Sequence, residues 1–422
     1  MPSAETSPLL NSNGNHHDPE SSCDADPKKR GIVWGALTAL FAAALVLIFG
    51  FHDEFANTFG PLLGLVPTDP ALAALFILDR APYHLDLPIL VRGLYRNNVS
   101  AVDLAHTMPA HVDIPRLRKG KVGGFFWSTY VQCPNPKLTG EDFLNATWRV
   151  RDTLEQIDVS KLLIEKYPET FKLALSAADI QSAIGSGKIA SLLGVEGSET
   201  LLPCCANTTP LAFDMSPSTH TCHNAFADSC GFEPGIIPLH HGLSPLGYTL
   251  VEEMNRLGVL VDLSHTSDKT AKDALKHSKA PVIWSHSSAR AVHNVPRNGE
   301  NQTDAVVMVN FAPFFVATPG NATVAAVADH VDHIASVAGK AHVGIGSDYD
   351  GIGDVPVGLE DVSTYPALIA ELYRRGWNKY ELGGLTGGNL LRILHKAEEV
   401  SHKLRATGAL PRYDIYEKRT DL

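Results

Sequence analysis

The sequence predicts an α/β protein, a (β/α)8 barrel that follows an N-terminal membrane helix. The 422 residues are 44% hydrophobic and 19% charged, which is a globular composition. An apolar run without charge lies near the N-terminus, and strand patterns then alternate with helical patterns over residues 80–400. Such alternation requires parallel strands joined by right-handed crossovers. A doubly wound sheet is the alternative, although no glycine-rich phosphate loop follows the first strand.

The N-terminal segment has the pattern of a membrane anchor. Residues 1–30 are polar and predicted to be disordered, and residues 31–51 contain no charged side chain. At about 1.5 Å per residue, that run spans a hydrocarbon core of about 30 Å. Basic residues at 28–30 precede it, so the positive-inside rule places the N-terminus in the cytoplasm. We expect a single-pass anchor in the lipid bilayer, a linker over residues 52–79, and a lumenal or extracellular barrel domain over residues 80–422.

Charge and sequence motifs define the environment further. The net charge is −11 and no basic stripe is present, which argues against a nucleic-acid partner. Five triplets fit the N-glycosylation pattern, at Asn98, Asn145, Asn207, Asn301 and Asn321. Five cysteines follow the anchor, so at least one thiol stays unpaired if all bridges are internal.

The clearest strand and helix patterns lie in the second half of the chain. Ser244 is a plausible N-cap for a helix that ends at Arg256. The predicted strands there are 259–263, 281–284 and 342–345, and the predicted helices are 268–277, 366–375 and 389–401. Polar residues follow each of these strands, as expected at the mouth of a barrel.

Two positions in the first half of the chain carry carboxylate side chains that could bind a metal ion. His84 and Asp86 form an H-x-D triplet, whose side chains share one face of a strand. A histidine and an aspartate in an ordinary loop are the alternative. Glu196 follows the apolar run 189–195, and a carboxylate there is costly unless it is paired or metal-bound. A structural ion pair is the alternative for Glu196.

His265 and His286 each follow a serine at the end of an apolar strand, one strand–helix repeat apart. Asp348 follows a further strand. In a barrel these side chains converge at the C-terminal mouth with His84 and Glu196, which is the ligand set of a hydrolase with one or two zinc ions. Two hydrogen-bonded structural histidines are the alternative. The sequence contains neither the G-x-S-x-G motif of a serine hydrolase nor the H-E-x-x-H motif of a zincin.

The chain resembles the membrane (renal-type) dipeptidase family of zinc peptidases from about residue 80 to the C-terminus. The matching segments are 106–134, 194–197, 219–229, 253–267, 280–290 and 342–377. The resemblance implies a (β/α)8 barrel that cleaves dipeptides with two zinc ions per chain. It implies that His84 and Asp86 bind one zinc and that His265 and His286 bind the other. Glu196 would bridge the two ions and hold the attacking water.

The resemblance also assigns the substrate-binding residues. It implies that His220 stabilises the oxyanion, that Asp348 holds the substrate amino group and shuttles the proton, and that Arg297 binds the substrate carboxylate. Cys133 and Cys222 match a disulfide pair of the family.

Three segments depart from the family pattern, at 80–86, 198–219 and 296–305. Prolines at 203, 210 and 217 forbid a normal helix in the second segment, so one strand–helix unit of the barrel is predicted to be disrupted. Either the chain is a divergent member, or exon boundaries of its gene are misplaced; the well-matched borders favour the second explanation.

Three functions follow from these alternatives. The first is a membrane-anchored zinc dipeptidase. The second is a catalytically impaired barrel that acts as a binding or scaffold protein. The third is the same centre acting on another amide, such as a β-lactam or a cysteinyl-glycine conjugate. A homodimer is an open prediction that the sequence does not decide.

Overall fold

The nine strands of the described chain form one sheet in which neighbouring strands run parallel. The computed structural model describes residues 27–50, 52–58, 61–78, 81–133, 148–196, 213–215, 220–231, 236–295 and 305–414. The strands are β1 (Ala81–Leu85), β2 (Val122–Tyr130), β3 (Phe171–Leu173), β4 (Ile189–Glu196), β5 (Phe213–Met215), β6 (Val261–Asp262), β7 (Val282–Ser287), β8 (Ala305–Val309) and β9 (Val343–Ile345). Their order is β1-β2-β4-β5-β6-β7-β8-β9, and β3 pairs with β4 beside this path.

Helices connect most of the strands, as the predicted alternation requires. The helices of the barrel region are Leu87–Tyr95, Ile114–Lys119, Arg149–Lys166, Ala177–Gly185, Pro245–Leu257, Asp268–His277, Pro313–Val316, Val324–Ala338, Tyr365–Arg374, Lys379–Gly383 and Asn389–Ala406. The α/β class is therefore confirmed.

The helix at 245–257 begins after the N-cap residue that the sequence predicts and ends one residue beyond the predicted end. Ser244 caps it by accepting a hydrogen bond from the Gly247 amide, and Gly258 ends it in the left-handed conformation. The following strand is shorter than the predicted 259–263, because the Val259 amide bonds to the carbonyl of Met254 and closes the helix. The ladder therefore begins only at β6.

The two ends of the sheet meet where the residues after β9 contact the end of β1. Leu85 at the end of β1 forms an isolated parallel bridge with Tyr349, and the Asp86 amide donates to the Tyr349 carbonyl at 2.9 Å. The described ladders end at β1 and β9, so they do not complete a closed barrel. In the segment predicted to be disrupted, β5 supplies a strand of three residues between β4 and β6. The rest of 197–219 lies outside the described residues.

The N-terminal part contains three helices, Pro27–Gly50, His52–Thr58 and Pro70–Ile77. Among the residues that the structure describes, no helix has both the length and the apolar character needed to cross a membrane. The anchor expected at 31–51 stays a prediction.

Strand polarity determines where the polar residues gather. His84, Glu196 and His286 lie at or near the C-terminal ends of β1, β4 and β7. Because neighbouring strands are parallel, these ends share one edge of the sheet. The departure at 80–86 does not prevent β1 from pairing with β2 in parallel.

Candidate metal centre

Glu196 stands at the middle of the polar cluster. It is the last residue of β4, and its side chain is 7% exposed. Its Oε1 atom lies 2.9 Å from Nε2 of His265 and 3.3 Å from Nε2 of His286. Its Oε2 atom lies 3.8 Å from Nε2 of His84 and accepts a hydrogen bond from the Ser128 hydroxyl at 3.1 Å.

The histidines determine the protonation of Glu196. Burial would raise its pKa, but the charges and hydrogen bonds of His286 and His265 together hold that pKa well below its usual range. The buried carboxyl is therefore ionised, the form in which a carboxyl group binds a metal.

His265 and His286 present their nitrogens to the same point. Their Nε2 atoms are 3.0 Å apart, and both rings are buried. His265 has a φ of 61°, a backbone conformation that residues with a Cβ atom adopt rarely and at a cost. Such local strain is typical of functional sites, where the surrounding structure maintains it.

A chain of hydrogen bonds sets the tautomer of His286. The Ser285 hydroxyl donates its one proton to Oδ2 of Asp262, so at 2.7 Å from Nδ1 of His286 it must accept from that nitrogen. The proton on Nδ1 leaves Nε2 with a free lone pair that points at the cluster. Carboxylate partners of this kind orient histidine ligands in metal sites.

We expect Asp262→Asn to weaken metal binding about 10- to 100-fold. Oδ1 of Asp262 accepts from the amides of Ser264 and Ser285, so the new NH2 group would face the Ser285 hydroxyl and reverse the direction of the chain. His286 would then carry its proton on Nε2. A competition titration against a chelator measures the affinity, with exposed Asp329→Asn as the control. An unchanged affinity in Asp262→Asn would contradict this account of the tautomer.

His84 and Asp86 complete the cluster on the β1 side. Nε2 of His84 lies 3.5 Å from Oδ2 of Asp86, and the His84 ring stacks on that of His286 with centroids 4.4 Å apart. Both oxygens of Asp86 are buried, no N–H or hydroxyl group of the described chain donates to them, and their hydrogen-bonding neighbour is the Asp348 carboxyl group. Two adjacent buried carboxyl groups are costly when both are ionised, and a bound cation removes that cost.

The donor atoms form three overlapping groups, each within 4.8 Å, that can hold a metal ion. One contains His84, Asp86 and Glu196, another contains Glu196, His220 and His265, and a third contains His84, His286 and Asp348. Imidazole nitrogens with carboxylate oxygens are the usual ligands of zinc at catalytic sites. The residues present therefore fit a metal.

A cavity of about 250 Å³ opens onto this cluster. Its walls are formed by Asp86, Ile89, Tyr130, Glu196, His220, His265, Asp348, Asp350 and Gly351. A Cβ atom on Gly351 would lie 2.6 Å from Oδ2 of Asp86, so only glycine leaves this wall free. The volume suits a molecule of a few residues at most.

Asp348 faces the cavity from the segment after β9. Asn310 donates to its Oδ2 at 2.8 Å, and its φ is 66°, which asparagine and aspartate tolerate better than most residues. Burial raises the pKa of Asp348 to about 7; Asp86 and Glu196 add to this rise, and His286 opposes it. A carboxyl group with such a pKa can both hold and release a proton near neutral pH.

We expect Asp348→Asn to stabilise the metal-free protein at pH about 8, by about 2–5 °C in melting temperature. The folded pKa of about 7 exceeds the ordinary aspartate pKa of 3.8, so the carboxyl's stabilising contribution is lost as pH rises through 7. Asparagine stays neutral, so its advantage shrinks at pH about 5. Thermal unfolding after metal removal measures both values. An equal difference at both pH values would contradict the assignment.

Of the two residues predicted to bind the substrate carbonyl and carboxylate, the structure describes His220 but not Arg297. Nε2 of His220 lies 4.0 Å from Oε1 of Glu196, and its ring packs 4.6 Å from that of Tyr130 and 4.2 Å from that of His265. His220 therefore lies beside the cluster, and its role at the oxyanion stays a prediction. Arg297 lies outside the described residues, so its role as a carboxylate binder stays a prediction.

Several residues around the cluster were not predicted. Ser128, Tyr130 and Asn310 contact Glu196, His220 and Asp348, respectively. Ser128 is a buried polar residue in β2, whose last residue, the half-buried Tyr130, ends an otherwise buried strand; a polar residue in such a strand is the signal that could have identified Ser128.

The remaining predictions concern covalent modification. The disulfide between Cys133 and Cys222 is confirmed, with 6.1 Å between the Cα atoms, and the Cys230 thiol donates to the Gly231 carbonyl at 3.4 Å. Asn98 and Asn321 are exposed, as glycosylation requires. The sequons at 145, 207 and 301 lie outside the described residues.

The chain matches known proteins over most of its length. A family model described as membrane dipeptidase, peptidase family M19, matches residues 74–408. The dipeptidase verJ of Clonostachys rogersoniana is 39% identical over 348 residues, covering 80% of this chain and 89% of the relative. An uncharacterized dipeptidase of Schizosaccharomyces pombe is 40% identical over 353 residues, covering 79% of this chain and 85% of the relative.

Solved structures share the fold. A metallopeptidase of Rhodobacter sphaeroides, bound to a phosphinate mimic of the dipeptide L-Ala-D-Ala, superposes with a TM-score of 0.63 at 24% identity, over 75% of this chain and 99% of that one. The probable dipeptidase PvdM of Pseudomonas aeruginosa gives a TM-score of 0.66 at 20% identity, over 79% of this chain and 100% of that one. At these identities the similarity is evidence for the fold alone.

Proposed function

This chain belongs to the membrane dipeptidase family, peptidase family M19, and on that premise we propose that it hydrolyses dipeptides at a centre of two zinc ions. The observation that carries the proposal is the convergence of His84, His265 and His286 on the two oxygens of Glu196. The small cavity above them supports a short peptide as the substrate.

The residues divide into two ligand groups around Glu196. His84 and Asp86 would hold one ion, His265 and His286 the other, and one oxygen of Glu196 faces each group. Ions bound there would lower the pKa of a water molecule and polarise the peptide carbonyl. Both buried oxygens of Asp86 receive no hydrogen bond from an N–H or hydroxyl group of the described chain, which supports a cation on the β1 side.

Asp348 and His220 would act on opposite parts of the substrate. Asp348 would bind the α-ammonium group in its ionised form, and its raised pKa suits it to pass a proton to the leaving amine. His220, which also lines the cavity, would donate from Nε2 to the carbonyl oxygen as negative charge develops there. Arg297 would pair with the substrate carboxylate, which explains a preference for dipeptides over longer chains.

Metal analysis together with a substrate panel tests the proposal. We expect about two zinc ions per chain and hydrolysis of free dipeptides but not of N-acetylated or C-amidated ones. A β-lactam and a cysteinyl-glycine conjugate extend the panel to other amides. Well-folded protein that binds no zinc, or that binds zinc and cleaves no member of the panel, would refute it.

We also propose that the strands close into a (β/α)8 barrel. The support is the Leu85–Tyr349 bridge and the bond from the Ser347 hydroxyl to the His84 carbonyl, which join the two ends of the sheet. An experimental structure with continuous hydrogen bonding between β1 and β9 is the expected result. A gap at that seam would refute closure.

The membrane location rests on the sequence alone, and we propose it on the charge-free run 31–51 and the basic residues before it. The full chain is expected to stay with membranes after alkaline extraction and to lose mass on deglycosylation. Recovery in the extract, unglycosylated, would refute both. Sedimentation of the detergent-solubilised protein separates the predicted homodimer from a monomer.

A further inference from the structure

Ser229 joins the segments that carry His220 and His265. It is 1% exposed and pairs with Thr266, next to His265, in an isolated antiparallel bridge. Its hydroxyl oxygen lies 2.7 Å from the His220 carbonyl and 3.2 Å from the His265 carbonyl, and it accepts from the Gly231 amide at 2.9 Å. The hydroxyl has one proton, so the shorter contact, to His220, is its main hydrogen bond.

The neighbouring backbone holds His265 in its unusual conformation. The Cys230 amide donates to the His265 carbonyl at 2.9 Å, and the Ser229 amide donates to Nδ1 of His223 at 3.0 Å. His265 has a positive φ, which the surrounding contacts must maintain. The backbone at 229–230 therefore fixes His265, and the Ser229 hydroxyl extends that support to His220.

His220 has a second tether, the disulfide of Cys222, two residues further along the chain. That bridge leads to Cys133, three residues after Tyr130, whose ring packs against His220. The His220 side chain is 24% exposed, more than Glu196 or His286. Its position thus depends on the backbone that presents it.

We propose that Ser229 is a positioning residue that fixes the distance between His220 and the metal ligand His265. The proposal rests on the function proposed above, since it assumes that His220 acts on the substrate carbonyl. A displacement of His220 by a fraction of an ångström would weaken its contact with the developing charge and leave the metal ligands in place.

Ser229→Ala is expected to lower kcat for dipeptide hydrolysis about 10- to 100-fold, with KM changed less than about twofold. Zinc content is expected to equal that of the wild type. Ser401→Ala is the matched control, because Ser401 is also 1% exposed and its hydroxyl also donates to a carbonyl, that of Arg256, at 2.7 Å. We expect that control to keep its kcat.

A double-mutant cycle tests whether Ser229 acts through His220. The variant His220→Ala/Ser229→Ala is expected to be no less active than His220→Ala alone, because the group that Ser229 positions is already gone. Binding of a dipeptide phosphinate, measured by calorimetry, provides a readout without turnover. It should weaken in both single variants and weaken no further in the double variant.

The outcomes separate the two proposals. Wild-type protein that binds zinc but neither cleaves dipeptides nor binds the phosphinate refutes the proposed function, and the inference with it. Active wild type with additive losses, or with a Ser229→Ala variant of normal kcat, overturns the inference alone. If Ser229→Ala does not fold, Cys133→Ala/Cys222→Ala removes the other tether of His220. The Cys133→Ala/Cys222→Ala variant is expected to lower kcat, and adding His220→Ala is expected to lower it no further than His220→Ala does alone. If the two losses add, the inference is also overturned.

Discussion

Glu196→Gln is expected to lower kcat/KM for dipeptides by about a thousandfold or more and to reduce metal content. The carboxylate lies 2.9 and 3.3 Å from two imidazole nitrogens on one oxygen and 3.8 Å from a third on the other. Glutamine has the same shape, but its amide nitrogen cannot ligate a metal, and one side of the centre would lose its shared ligand.

The experiment measures zinc per chain and steady-state kinetics in the same preparation. Glu398→Gln is the control, since Glu398 is a glutamate remote from the cavity whose Oε1 atom accepts from the Ala177 amide, a bond that glutamine preserves. Equal losses in both variants would mean general damage. Full zinc content with full activity in Glu196→Gln would refute the centre as described.

His286→Ala is expected to lower zinc affinity by at least about a hundredfold and activity in proportion. The ring is buried, its Nε2 faces Glu196 and His265, and its Nδ1 is held by Ser285. Alanine removes one candidate ligand, the imidazole whose Nε2 lies 3.3 Å from Oε1 of Glu196.

This loss should be recoverable in part. High zinc concentrations are expected to restore some activity to His286→Ala, because the remaining ligands still converge. His395→Ala, at an exposed position, is expected to behave as the wild type. A His286→Ala variant that keeps wild-type zinc affinity would show that the histidine is structural, the alternative that its sequence context left open.

The ends of the strands could be predicted because they follow simple periodicity. Apolar runs that stop at Glu196, His265 and His286 predicted that these side chains meet at one edge, and the structure places them within hydrogen-bonding distance. The helix after Ser244 followed from its N-cap and the i, i+4 spacing of its apolar residues, and the helix at 268–277 was also predicted. These features depend on neighbours in the sequence.

Other features depend on groups that are remote in sequence. The reciprocal hydrogen bonds between His111 and Asp350 join residues 239 positions apart, and no local pattern marks either one. The same holds for the requirement for glycine at 351, which comes from the Asp86 carboxylate. The hydroxyl of Ser229 lies in a segment without periodicity, so only the folded chain reveals what it contacts.

The contact between the two ends of the sheet has a consequence for synthesis of the protein. The Ser347 hydroxyl bonds to the His84 carbonyl across 263 positions, so the chain must be nearly finished before the His84 side of the centre is assembled. Such a high separation slows folding, since the loop must close before the contact stabilises it. A nascent chain that ends before β9 would hold His84 and Asp86 without their contacts to Ser347 and Tyr349. Metal binding on the His84 side is therefore expected to be a late event in maturation, after β9 has joined the sheet.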